Sequence, residues 1–146
     1  MFKVEYLVLF DANKTQCKTV AALKNLLQAD SDLSIERNKV TFAKKTADLV
    51  VKLGKKDDKA HIYFNVILKC KEESDLEWFS SLLRSIRRSL TLITKSTYVV
   101  WDDLSLYYSS QAYPLIFNIE NLMRQVITKF MLTNIGLGWT KDRLPT

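Results

Sequence analysis

The sequence predicts an α+β fold: a mostly antiparallel sheet with two helices on one face and a long C-terminal helix. Three observations carry this. Short runs in which apolar and polar residues alternate recur along the first hundred residues, which is the period of a half-buried strand. Residues 19–29 and 74–93 replace that alternation with spacings of three and four, the period of an amphipathic helix. The elements run β-α-β-β-β-β-α-β, and strands that follow one another without a crossover helix pair antiparallel, which argues against a doubly wound parallel sheet.

In residues 2–10, Phe2, Val4, Tyr6, Val8 and Phe10 share one strand face and Lys3, Glu5, Leu7 and Leu9 the other. The second face turns apolar at Leu7, so the C-terminal half of this strand is expected to be central. Asp11-Ala12-Asn13 turns the chain into a short helix carrying Val20, Leu23, Leu26 and Leu27. Leu33 and Ile35 lead to a hairpin turn at Arg37-Asn38-Lys39, and Val40 and Phe42 return. A strand over 47–53 is ended by Gly54, and Gly54-Lys55-Lys56-Asp57-Asp58-Lys59 reads as a solvated turn. Residues 61–70 are the clearest strand, with Ile62, Phe64, Val66, Leu68 and Cys70 on one face.

Ser74 and Glu77 have the spacing of a capping box at the start of the second helix, whose apolar stripe runs from Leu76 to Ile93. Tyr98 to Trp101 reads as a strand, Asp102-Asp103 as a turn, and Leu104 to Tyr108 as a returning strand. The last helix, 113–135, is placed with Pro114 in its first turn and Gly136 at its left-handed end. Composition shifts at Ser109-Ser110-Gln111-Ala112, which sets the expected division at an α+β domain over 1–110 and a helical segment over 111–146.

A chain of 146 residues with 47% apolar and 26% charged side chains can bury a core without disulfides or metal. The N-terminus lacks the basic, apolar and small-residue order of a signal peptide, and no run approaches the roughly 18 apolar residues of a membrane span. A soluble cytosolic protein is expected, with no membrane partner. Cys70 closes an alternation and reads as a small buried hydrophobe, whereas Cys17, ahead of the first helix, is open to exposure.

No catalytic site assembles from spacing. His61 is the one histidine, and without a second histidine or a cysteine pair there is no metal signal. Asp102-Asp103 reads as a turn rather than a Mg²⁺ site, since consecutive strand residues point apart. The net charge of +6 permits nucleic acid as a partner without selecting it. Arg84, Arg87 and Arg88 lie three and four apart on one helix, with Lys95 beyond its end, and arginine forks match phosphates. With Lys44, Lys45, Lys52, Lys55, Lys56 and Lys59 elsewhere, these are the candidate nucleic-acid contacts. The same stripe is also what the solvated face of an amphipathic helix looks like. Glu120 and Arg124 are spaced to pair on a helix surface. Ile116, Met123, Ile127 and Phe130 cannot share one narrow seam with Leu115, Ile119, Leu122 and Val126, so the last helix is expected to keep an apolar surface for a second copy of the chain.

Residues 117–127, Phe-Asn-Ile-Glu-Asn-Leu-Met-Arg-Gln-Val-Ile, followed by Gly136-Leu137-Gly138-Trp139 and Leu144-Pro145, resemble the opening helix of HEPN-type domains, nearest the Swt1-like branch. Arg124 stands one place later than in that family's pattern, and Met123 fills the gap. The resemblance implies a helical, commonly dimeric module of the kind found in prokaryotic toxin–antitoxin and antiphage RNases. It implies that this chain holds an α+β region and the first helix of a truncated HEPN module. The family's catalytic signature, an arginine and then a histidine four to six residues on, has no counterpart, because no histidine follows His61. The expected function is a non-catalytic sensing or assembly domain of a defence-type protein that self-associates. The alternative is an RNA- or DNA-binding module that uses the basic helix over 75–93. No cofactor is expected.

Overall fold

The computed structural model describes residues 1–55 and 60–140. Six strands form one antiparallel sheet: β1 (Phe2–Asp11), β2 (Leu33–Glu36), β3 (Lys39–Phe42), β4 (Lys45–Lys55), β5 (His61–Cys70) and β6 (Thr97–Asp102). Three helices accompany them: α1 (Val20–Leu27), α2 (Leu76–Ile93) and α3 (Asp103–Asn134). The strand order is β2-β3-β4-β5-β1-β6. The chain divides into two compact units, Met1–Ser105 and Leu106–Thr146.

In the first unit β1 runs antiparallel to β5 over its whole length, from Phe2 opposite Cys70 to Asp11 opposite His61. That register sets Val4, Tyr6, Val8 and Phe10 beside Ile62, Phe64, Val66 and Leu68, all buried on one face. Phe10 and Phe64 meet edge to face at 5.6 Å. Onto this face α1 and α2 set Leu23, Leu27, Phe79, Leu82, Ile86 and Leu90, each fully buried. The remaining core comes from the β2–β3–β4 meander through Leu33, Val40 and Leu49. Its two hairpins turn on residues with left-handed backbone, Arg37 in the first and Ala43 with Lys44 in the second.

Side-chain to backbone bonds lock the helices in place. Thr19 caps α1 by accepting the Ala22 N–H at 3.1 Å. The Trp78 indole N–H reaches from α2 to the Phe42 carbonyl at 2.7 Å. Beyond the end of α2, the Thr94 hydroxyl donates to the Leu9 carbonyl at 2.9 Å and ties the helix end to β1.

Several expectations need correction. The Ser74–Glu77 capping box does not form: Glu73–Asp75 makes a 3-10 turn and α2 starts at Leu76 without a side-chain cap. The Asp75 carboxylate is instead paired with the Lys45 ammonium. Gly54 does not end a strand but lies inside β4 opposite Tyr63. A Cβ there would sit 2.1 Å from the Tyr63 ring, so the ring lies across the space a side chain would fill. Leu104 to Tyr108 is not a returning strand, and Pro114 is not in a first turn, because α3 begins at Asp103. Asp102 causes this. Its carboxylate accepts the Ser105 N–H at 2.8 Å, so the strand passes into a capped helix with no turn between them. Cys17 is buried, not exposed. The solvated turn expected at 54–59 lies outside the described residues from Lys56 to Lys59.

The core and the Tyr63–Gly54 contact should separate in denaturant unfolding. Phe64→Ala should cost about 3–5 kcal/mol, the range for emptying a buried phenylalanine site. Gly54→Ala, which only pushes a partly exposed ring aside, should cost about 1 kcal/mol or less.

Candidate functional site

On α2 the apolar stripe Leu76, Phe79, Leu82, Leu83, Ile86 and Leu90 is buried, which turns Arg84, Arg87 and Arg88 outward, all exposed. Arg87 and Arg88 are consecutive, so their directions differ by about 100° around the helix, and the two guanidiniums face different surroundings. Arg88 stands toward the loop after α1. There the Ser85 hydroxyl donates to Asp30 Oδ2 at 2.6 Å and the Asp32 N–H donates to Asp30 Oδ1 at 3.1 Å. Those two bonds, with Arg88 nearby, hold the Asp30 carboxyl below the usual carboxylate range. Arg88, Asp30, Leu26, Ser89 and Leu92 line a groove of about 460 Å³ between the end of α1 and α2.

Arg87 stands toward the sheet. Burial and the Asp102 carboxylate push the Tyr6 hydroxyl up to about 12, while Arg87 pulls it the other way. Arg84 donates to its own helix, at Ser80 Oγ, 3.4 Å away. Lys95 is exposed in the connection after α2. Among the described residues no salt bridge includes Arg84, Arg87, Arg88 or Lys95.

The lysines do not join this helix as one surface. Lys44 holds a left-handed position in the β3–β4 turn, Lys45 pairs with Asp75, and Lys52 is opposite Asn65 on the second sheet face. The Lys55 side chain, Lys56 and Lys59 lie outside the described residues. That second face carries its own polar cluster. Asn65 Nδ2 donates to Glu5 Oε1 at 2.6 Å, and with Lys3 at 3.3 Å it draws the Glu5 carboxyl downward. The Lys3 ammonium also sits 4.5 Å over the Trp101 ring.

The acid pair Asp102-Asp103 is a junction with both carboxylates engaged. Asp102 caps α3, and Asp103 accepts the Lys3 backbone N–H at 2.8 Å and the Trp101 indole N–H at 2.6 Å. His61 is exposed at the start of β5. No group of three His, Cys, Asp or Glu among the described residues is placed to hold a metal. Burial pushes the Cys17 and Cys70 thiols up.

In the second unit, α3 presents its apolar residues to solvent. Ile116 is 61% exposed, Met123 58%, Ile127 50% and Phe130 61%, and Leu115, Ile119, Leu122 and Val126 are similar. Glu120 and Arg124 pair as their spacing implies, at 3.2 Å. Tyr113 and Phe117 stack at 6.5 Å across the Pro114 turn. Gly136 adopts the left-handed conformation expected of it, with φ +97°, and its N–H bonds the Met131 carbonyl. Leu144-Pro145 lies outside the described residues. Among the described residues no helix is long and apolar enough to cross a membrane.

The Ser85–Asp30 contact gives a pH-dependent prediction. A carboxyl lowered in the folded state adds stability above its unfolded value, and that stability is lost as pH falls through the folded value. Asp30 is partly exposed, so Ser85→Ala should cost only about 1 kcal/mol at neutral pH. Parent and variant unfolding curves should converge as pH falls through the lowered folded value of Asp30, once it is protonated in both states. The chain matches no family model, and no curated protein or solved structure proves similar to it.

Proposed function

We propose that the chain is a non-catalytic assembly module that self-associates through the apolar surface of α3. The observation that carries this is the exposure of nine large apolar residues from Leu115 to Phe130. Apolar patches of several hundred Å² rarely stay in water on a monomer without a partner. Ile116, Met123, Ile127 and Phe130 form one stripe at spacings of seven, four and three, and Leu115, Ile119, Leu122 and Val126 form a second beside it. The resemblance of 117–139 to the opening helix of HEPN-type domains supports an association helix. It also suggests the setting, a cytosolic antiphage or toxin–antitoxin system in prokaryotes.

Sedimentation at micromolar loading tests the proposal. The parent should exceed monomer mass, and Ile127→Asp should weaken association at least about tenfold, the effect of burying one unpaired charge in an interface. The variant's melting temperature should stay within a few degrees of the monomeric parent's, because Ile127 is half-exposed. A parent that stays monomeric at every loading refutes the proposal.

Arg84, Arg87 and Arg88, exposed and in no salt bridge among the described residues, favour a second reading, in which the α2 face binds nucleic acid. Reversing all three to Glu should then abolish oligonucleotide binding at low salt and leave the fold intact. Affinity of the parent should fall steeply with salt. Equal binding by parent and variant sinks this reading.

A further inference from the structure

We infer that β6 is a homotypic pairing edge: two copies of the chain join β6 to β6, antiparallel, and continue the sheet across a two-fold axis. This goes beyond the helix reading and stands on the strand register alone.

The two ends of the sheet differ. The β2 end is a four-residue strand whose apolar residues, Leu33 and Ile35, are buried and whose outward residues are Ser34 and Glu36. Short, polar edges of this kind resist pairing with another chain. At the other end, β6 pairs with β1 on one side, and no other strand of the described residues lies on its outer side. It carries Tyr98, Val99, Val100 and Trp101 in succession, exposed at 57%, 43%, 54% and 52%. One charge, Asp102, lies in the strand, and it has neither glycine nor proline. An apolar edge with free main-chain donors and acceptors is a template for another strand.

The register identifies a second β6 as the occupant. Antiparallel partners must place residues of the same sheet face opposite each other. Tyr98 is opposite Leu7 and Trp101 opposite Glu5, so both lie on the face away from α1 and α2. Thr97 is opposite Val8 and Asp102 opposite Val4, so both lie on the helix-covered face. In a regular strand, residues 98 and 101 would point to opposite faces. The bulge at Val100, which falls between Glu5 and Tyr6 on β1, brings them to the same one. The one antiparallel register that pairs all six residues therefore sets Tyr98 and Trp101, and Thr97 and Asp102, on matching faces. Tyr98 meets the partner's Trp101, Val99 meets the partner's Val100, and Thr97 meets the partner's Asp102.

A slip that set Asp102 against the partner's Asp102 would oppose like charges. In the matched register the ends are complementary. Lys95 flanks the start of β6 and Asp102-Asp103 its end, so antiparallel pairing brings opposite signs together at both ends. A bulge on an edge strand also serves to discourage pairing, and the test separates these two roles.

Hydrogen exchange of the full chain, at a dilute and a concentrated loading, reads the edge directly. Amides of 97–102 should exchange at least about tenfold more slowly at high concentration, because pairing satisfies their outward N–H groups. The same protection should appear in Ile127→Asp, which separates this inference from association through α3. Val100→Cys should give a disulfide-linked dimer on mild oxidation, since Cys17 and Cys70 are buried and do not compete. Leu92→Cys, at a position 82% exposed on α2, is the control and should remain monomeric. Concentration-independent exchange at 97–102, protection that disappears in Ile127→Asp, or crosslinking of Val100→Cys no greater than that of Leu92→Cys would each overturn the inference.

Discussion

The ten-residue ladder between β1 and β5 is the constraint on which the rest of the α+β unit depends. It fixes which side of each strand is buried, because a slip of one residue would turn Val4, Tyr6, Val8 and Phe10 out of the core together. With that choice made, α1 and α2 can cover only one face. The polar contacts among Lys3, Glu5 and Asn65 are then confined to the other. Tyr6 shows how tightly the choice is drawn. Its ring is in the core, yet its hydroxyl feels Asp102 of β6 and Arg87 of α2 in opposite senses.

The two flanks of this ladder are built differently. Toward β4 the meander is made of local hairpins and closes with a short strand whose outward side chains are polar. Toward β6 the sheet ends in aromatic and branched residues, and the chain passes at once into a helix that is also apolar on its exposed side. Exposed apolar residues are therefore concentrated between Tyr98 and Leu137, while the first ninety residues bury most of theirs. A chain with this distribution has its folding determinants in one part and most of its exposed apolar surface in another.

The strands were legible because alternation is strict where one face is dry and the other wet, as in β5. The end of α3 was legible for a similar reason, since Gly136 meets a need for positive φ that few residues meet without strain. The start of α3 was misread because Asp102-Asp103 and Pro114 each have an ordinary local meaning. An acid pair commonly turns a strand, and a proline commonly opens a helix. Here a tertiary bond from Asp103 to the Lys3 backbone, together with the Asp102 cap, fixes the helix start earlier, and the proline lies within the helix. The arginines of α2 were visible as a stripe. That Arg88 faces Asp30 and Arg87 faces Tyr6 was not, because both neighbours are distant in sequence and brought near only by packing. The edge position of β6 was hidden as well, because alternation gives a strand's faces and says nothing of who its neighbours are.

The strand order also has a consequence for synthesis. β1 leaves the ribosome ahead of the other five strands, yet its neighbours in the sheet are β5 and β6, completed only at Cys70 and Asp102. At roughly 5–20 residues per second, β1 waits several seconds for β5 and longer for β6. The β2–β3–β4 meander can close by itself in that interval. A nascent chain of this protein therefore carries an unpaired strand of alternating large apolar residues until β5 is made, the state in which a chaperone or a neighbouring nascent chain has most opportunity to bind it.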